Sequence, residues 1–344
     1  MKSTDTDCQV IAGIVGVGSY LPDNRADAWE MVRESGIPRE KFDKIGAKFL
    51  HLAAPGETPS SMAVKASRKA LDDAGLSPAD IDVILYCGSL KDHTRWMASA
   101  KVQADLGSET SYAFDIYQGC NGQNMALNVA RSLMATDPDV KNVLICAAER
   151  WDTTLERPIL GHAFIFGDGG SAAVLQRGAE QFQVLSFACR TWGEHHETFC
   201  CPELGAVHKL TPEVLERGGH LFQMYRPRYT EREEVRDFGA RINKVAREMF
   251  ELACHRAGEV MEAIDFVVMI NASRRHNLLF LDSVGLQGKA SSAGYVAETA
   301  HLGTGDVFYN LDRARQEKRI KSGDLMAFYT GGGGYSWAVS LLRV

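Results

Sequence analysis

A chain of 344 residues with 45% hydrophobic and 24% charged content has enough apolar surface for one large domain or two ordinary ones. Its net charge of −6 argues against a general nucleic-acid binder, and no run approaches the roughly 18 apolar residues of a membrane span. The eight cysteines show no paired spacing, and the opening MKSTDTDCQV lacks the apolar core of a signal peptide, so reduced thiols and a cytoplasmic, non-membrane protein are expected.

In chain order, buried strands are predicted at VIAGIVGVGSYLP, SYAFDI, NVLICAAE, SAAVLQ and FQVLSFACRT, then at DFVVMIN, DLMAFYTG and SWAVSLLRV. Helices fit between them, notably over 121–135 and 237–257. The glycines of GIVGVGSY have the wrong spacing for a dinucleotide-binding loop. An internal repeat organises these elements. Ala70, Ala74, Gly75, Ile81 and Asp82 recur 183 residues later as Ala253, Ala257, Gly258, Ile264 and Asp265. Each copy reads as a helix stopped by glycine, a short connection and an apolar strand, so a duplicated α/β fold is expected. The halves are taken as 1–185 and 186–344, with the His-, Glu-, Arg- and Pro-rich stretch at about 193–237 either capping a site or forming a surface insertion.

Cys120 falls between the predicted strand SYAFDI and the helix that follows, flanked by Gly119 and Gly122. A helix N-terminus aimed at a thiol favours the thiolate and offers backbone N–H groups to an oxyanion. The competing reading is a small buried cysteine at a strand end, which is how Cys87 and Cys146 read. His195, His196, Cys200 and Cys201 stand in adjacent pairs that do not match metal-ligand spacings, so no metal is expected. In HLGTGD, His301 and Asp306 lie five residues apart, and a carboxylate-held histidine is a common general base near neutral pH. The GGGGYSW run from Gly331 reads as a flexible turn or as backbone that lets a substrate approach closely.

Four blocks in order, GIVGVGSYLPDN, YQGCNGQNMAL, FGDGGSAAVL and GGGGYSWAVSLLRV, resemble the thiolase-fold condensing enzymes, in their β-ketoacyl-[acyl-carrier-protein] synthase III branch. The resemblance implies an α/β protein with duplicated βαβαβαββ halves in a five-layered αβαβα arrangement, assembled as a homodimer. It implies that Cys120 takes an acyl group from an acyl-carrier protein or coenzyme A thioester, with no bound cofactor. The backbone N–H groups of Cys120 and Gly333 would hold the oxyanion, and Arg274 and Arg275, where the branch has its carrier-docking helix, would meet an acidic carrier unless they are ordinary solvated arginines.

The departures carry more information. Synthases of this branch have a Cys-His-Asn triad, with the histidine in a His-Gln-Ala-Asn block and the asparagine in a Gly-Asn-Thr-Ser block. Here the first block begins at Asn271 and the place of the asparagine is held by His301, with Asp306 one turn further on. Decarboxylative condensation needs neutral donors around an enolate oxygen, and this exchange serves that task badly. It serves the deprotonation of an acceptor that attacks acyl-Cys120. The pattern resembles a divergent acyltransferase subgroup of polyketide and antibiotic tailoring pathways. The reading is a ping-pong acyltransferase in which Asn271 positions the thioester or the acceptor, a small molecule, glycosylated or not. The alternatives are a carbon–carbon-forming synthase and an inactive partner of a carrier complex.

Overall fold

The strand order reveals the duplication. The computed structural model describes residues 11–155, 158–160, 164–225 and 231–344. The N-terminal stretch with Cys8, the first residue of the first expected strand and part of the expected cap lie outside them. The main strands are β1 (Ala12–Tyr20), β2 (Val83–Tyr86), β3 (Tyr112–Asp115), β4 (Asn142–Glu149), β5 (Gly169–Arg177), β6 (Gln183–Thr191), β7 (Ile264–Met269), β8 (Ala290–Ser291), β9 (Leu325–Gly332) and β10 (Ser336–Arg343). They line up as β8-β7-β9-β10-β6-β1-β5-β4-β2-β3. Read from each outer edge inward, the C-terminal five strands repeat the order of the N-terminal five.

Pairing direction repeats too. β2 runs parallel to β3 and β4, while β5 is antiparallel to β4 and β1. Likewise β7 runs parallel to β8 and β9, while β10 is antiparallel to β9 and β6. The two sets meet only at the Gly13–Gln183 pair of β1 and β6. The repeated aspartates do the same work in each half. Asp82 accepts from the Lys141 and Asn142 N–H groups at the start of β4 (2.7 and 2.8 Å), and Asp265 accepts from the Leu325 N–H at the start of β9 (2.9 Å).

Helices complete five layers. α1 (Pro59–Ala74) and α2 (Ala98–Leu106) cover one outer face, packing on β2, β4 and β5. α3 (Gly122–Thr136) and, from the second half, the helix over Asp306–Gln316 lie between the two five-strand sets in a shared core. α4 (Arg232–Ala257) and α5 (Arg274–Val284) cover the other outer face, and the Asp306–Gln316 helix is α6. Local signals set the helix ends. Thr58 caps α1 in a reciprocal box with Ser61, and the repeated glycines, Gly75 and Gly258, stop α1 and α4 at φ of 66° and 71°. Leu127 and Phe308 in the central layer are 0% exposed, each contributing about 1.5–3 kcal/mol by leaving water. This is the five-layered thiolase-like fold, and it brings the N-termini of α3 and α6 to the same place in the molecule's centre.

The stretch after β6 has little regular structure among its described residues. It holds a two-strand pair, Phe199–Cys200 with Gln223–Met224, and the short helix Pro212–Glu216. It is tied down by the Phe222 N–H to the Thr154 carbonyl (2.8 Å), and Phe199 and Phe222 pack against Trp151, Leu155, Leu160 and Phe166. α4 begins at Arg232 rather than near 237 because Glu233 and Glu234, which read as a charged run in sequence, suit the positive end of a helix.

Candidate active site

The nucleophile loop is held from three sides. A single 3₁₀ turn, Gly119–Asn121, carries Cys120 into α3. Gly122 is required by space: a Cβ there would lie 2.5 Å from the Cys87 carbonyl oxygen and 2.7 Å from the Thr304 methyl. Gly332 packs closely from the other side, where a Cβ would lie 3.2 Å from the Cys120 nitrogen. The glycine-rich run between β9 and β10 therefore brings backbone against Cys120. Ser336 fixes the loop further, accepting from Asn121 Nδ2 through its carbonyl (2.7 Å) and its hydroxyl (2.6 Å). Thr304 Oγ1 ties it to the histidine loop by donating to the Gly119 carbonyl at 3.2 Å.

The histidine loop sits where α6 begins. His301 bridges Phe166, with its N–H on the Ile165 carbonyl (2.8 Å) and its carbonyl accepting from Gly167 (3.1 Å). The rings of Phe164 and Phe166 stand 5.9 and 5.2 Å from the imidazole. Asp306 is the first residue of α6, and the helix dipole favours its negative charge.

These elements bring together residues 181 apart in sequence. Cys120 Sγ lies 3.3 Å from His301 Nε2, and His301 Nδ1 lies 2.5 Å from Asp306 Oδ2. Asp306 also accepts from the Asn271 N–H (2.6 Å) and the Leu302 N–H (2.8 Å), so the orientation of its carboxylate is fixed. A carboxylate on one ring nitrogen and a thiol on the other is the geometry of a nucleophile–base relay. Burial alone would lower the His301 pKa. The Asp306 carboxylate and Cys120 outweigh it and hold the imidazole well above its ordinary value of 6.5. The imidazole is thereby favoured in its protonated form, between the Asp306 carboxylate and the Cys120 sulfur.

Asn271 lies beside the relay. Its side chain is 1% exposed, donating to Thr299 Oγ1 (3.3 Å) and accepting from Asn310 Nδ2 (2.9 Å). It reaches the relay through its backbone N–H on Asp306. Gly333 lies against the nucleophile loop, its nitrogen 3.2 Å from where a Gly119 Cβ would stand. Arg274 and Arg275 are exposed at the start of α5, one helical turn before the exposed Leu278 and Leu279. Among the described residues no group of three or more His, Cys, Asp or Glu is arranged to hold a metal ion, and no helix is long and apolar enough to cross a membrane.

Sequence reasoning missed four residues of this constellation: Glu149, Thr304, Asn310 and Ser336. Each is a single polar residue in an apolar or glycine-rich run, and the one visible signal was an acid ending the otherwise apolar strand NVLICAAE.

The family models match the same blocks. The 3-oxoacyl-[acyl-carrier-protein] synthase III model matches residues 114–193, and the C-terminal model of that family matches residues 254–344. The β-ketoacyl-[acyl-carrier-protein] synthase III of Hyphomonas neptunium is 30% identical, over 96% of this chain and 98% of its own. The chain belongs to the β-ketoacyl-[acyl-carrier-protein] synthase III family. That family works on acyl-carrier-protein or coenzyme A thioesters, which makes this chain an enzyme of acyl-thioester chemistry. The fold agrees with solved structures. The synthase III of Aquifex aeolicus superposes with a TM-score of 0.77 at 24% identity, covering 97% of this chain and 100% of that one. A structure described as the acyltransferase ChlB3 gives 0.80 at 22% identity, covering 97% and 98%.

One consequence of this geometry is open to direct test. Asp306→Asn removes the anion that opposes the burial penalty on His301. The imidazole pKa is therefore expected to fall, as read by histidine NMR titration. An unchanged pKa would mean that another group holds the charge.

Proposed function

We propose that this family member is an acyltransferase: it moves an acyl group from a carrier-protein or coenzyme A thioester, by way of Cys120, to an acceptor hydroxyl, amine or thiol. The observation that carries the reading is the Cys120–His301–Asp306 order, with a carboxylate behind the histidine and the Asn271 side chain turned into a buried amide network. Neutral donors facing a common enolate oxygen, as decarboxylation requires, are not what these contacts supply.

The charges close a cycle. The Cys120 thiolate attacks the thioester carbonyl, and the backbone N–H groups of Cys120 and Gly333 hold the oxyanion. Collapse breaks the carbon–sulfur bond to the donor, and the departing thiolate takes the proton from His301. Acylation has then removed the Cys120 charge, one of the causes that hold the imidazole's proton, so His301 is left as a neutral base. It takes the acceptor's proton as the acceptor attacks the acyl carbon. Cys120 leaves as thiolate, and the ion pair is restored. The likeness to ChlB3 supports the fold of such an enzyme, and tailoring in polyketide or antibiotic pathways is the setting the reading fits. Arg274 and Arg275, with Leu278 beside them, offer a basic and apolar face for an acidic carrier protein.

The names of the curated relatives favour a second reading, carbon–carbon condensation. A malonyl thioester separates the two. An acyltransferase is expected to keep the carboxylate on the enzyme-bound group, whereas a synthase releases carbon dioxide and forms a condensed product. Carbon dioxide release at the rate of turnover would overturn the acyltransferase reading.

A homodimer is part of the same proposal. β3 is an unpaired edge of the sheet, with Tyr112 and Tyr117 beside it at 48% and 72% exposure. Sedimentation at micromolar concentration is expected to give twice the 37.8 kDa chain mass, and a monomer would count against it.

A further inference from the structure

The residue before His301 holds a conformation that alanine rarely takes. Ala300 has φ 56° and ψ −153°, a region populated almost entirely by glycine, and it is 0% exposed. It follows the short helix Val296–Thr299, its N–H donating to the Val296 carbonyl at 3.0 Å. The peptide group that joins Ala300 to His301 is gripped at both ends. Its N–H donates to the Ile165 carbonyl at 2.8 Å, and its carbonyl accepts from the Thr299 hydroxyl at 2.9 Å.

The Thr299 hydroxyl is itself held. It accepts from Asn271 Nδ2 at 3.3 Å, and the Asn271 amide oxygen accepts from Asn310 Nδ2 at 2.9 Å. Asn310 Nδ2 also donates to the Met269 carbonyl at the end of β7, at 2.7 Å. Thr299, Asn271 and Asn310 are 0%, 1% and 0% exposed, so solvent does not compete for these bonds. The backbone of Thr299 is confined as well: a Cβ on Gly167 would lie 2.3 Å from its carbonyl oxygen. We propose that Thr299 is a positioning residue for the base: its hydroxyl, held by the Asn271 amide, clamps the Ala300–His301 peptide in its strained conformation and so aims the imidazole at Cys120.

A strained backbone persists only where its surroundings over-determine it. Released, Ala300 would turn toward negative φ, and that rotation would swing the Cα–Cβ bond of His301. The ring would then leave Cys120 Sγ at 3.3 Å and Asp306 Oδ2 at 2.5 Å together. Thr299 acts through the backbone, since the bonds of its hydroxyl go to Asn271 and to Ala300. Asn271 thereby steadies both partners of the relay, His301 through Thr299 and Asp306 through its own N–H at 2.6 Å. The inference rests on His301 being the base of the second half-reaction, and not on which acceptor follows.

The test acetylates Cys120 with acetyl-coenzyme A and follows loss of the acetyl mass to water, beside the NMR signal of the His301 Nδ1 proton in its bond to Asp306. Misplacing a reacting group by about 1 Å can cost about 10²-fold, so Thr299→Val is expected to slow that loss about 10- to 100-fold. The same variant is expected to broaden or lose the Nδ1 proton signal. Thr299→Ser, which keeps the hydroxyl, is expected to restore both. Ala300→Gly takes the same conformation without strain, so it is expected to raise the melting temperature by about 2 °C. In that background the Thr299→Val defect is expected to shrink to about 2- to 5-fold, because glycine holds the conformation without the clamp. Native acetyl loss with a native proton signal in Thr299→Val would overturn the clamp and leave the base standing. An equal Thr299→Val defect in the native and Ala300→Gly backgrounds would do the same. Unchanged acetyl loss in His301→Ala would overturn both.

Discussion

Cys120→Ala is expected to gain no acyl mass when incubated with a panel of acyl thioesters, while the native chain gains one acyl group. The contrast should be all-or-none, because the Cys120 sulfur is the atom that forms the bond. Cys87 and Cys146, the thiols in the adjoining strands, are 0% exposed, and burial pushes the pKa of both thiols upward, Cys146 to about 12. Neither is nucleophilic near neutral pH. The fold should survive, since the change removes one sulfur from a partly exposed turn held by Ser336 and Thr304. Intact mass spectrometry checks the acylation and circular dichroism checks the fold. Acyl mass on the alanine variant would move the nucleophile elsewhere.

Much of this architecture could be read from the sequence because it depends on runs. NVLICAAE is apolar from Val143 to Ala148, and β4 occupies the expected residues, Asn142–Glu149, because a strand buried on both faces needs such a run. The 183-residue repeat was readable for a related reason: each copy must stop a helix with a glycine and start a sheet with an aspartate. The relay was readable only as two separate fragments, joined by the family resemblance. Nothing in the spacing of Cys120 and His301 shows that α3 and α6 meet head to head. That meeting is made by side chains far apart in sequence, such as Gln123, which accepts from the Phe308 N–H at 3.0 Å and donates to Ser171 Oγ at 2.7 Å.

The roles within the buried polar network were not readable at all. Thr304 and Gly119 are 185 residues apart, and Asn310 and Asn271 are 39 apart. A threonine between two glycines reads as loop, and an asparagine inside an amphipathic helix reads as a surface residue. Only the packing of the central layer turns both inward, where unsatisfied polar groups are costly and must find each other. Asn271 is the instructive example. Its residue type suggested a residue that positions the thioester or the acceptor; its side chain bonds Thr299 and Asn310, and its backbone N–H bonds Asp306.

Single-turnover transfer from pre-acylated enzyme is where His301→Ala should show its largest effect. The variant keeps Cys120 and the backbone around the oxyanion, so acyl-Cys120 should still form. It should form more slowly, because the imidazole that contacts the Cys120 sulfur is gone. Passing the group on is different. The acceptor must lose a proton as it attacks, and among the described residues His301 Nε2, at 3.3 Å, is the side-chain group hydrogen-bonded to Cys120. General-base assistance is typically worth roughly 10²–10⁴, so transfer should fall by about that factor while acylation falls less. Asp306→Asn should give a smaller defect of the same kind, since it weakens and misorients the base without removing it. The split between the two half-reactions is the decisive quantity. A condensing enzyme that used His301 to steady an enolate would lose carbon–carbon bond formation and carbon dioxide release together, with no deficit in simple transfer to a hydroxyl. Normal ester formation by His301→Ala would therefore remove the base from the mechanism and restore the synthase reading.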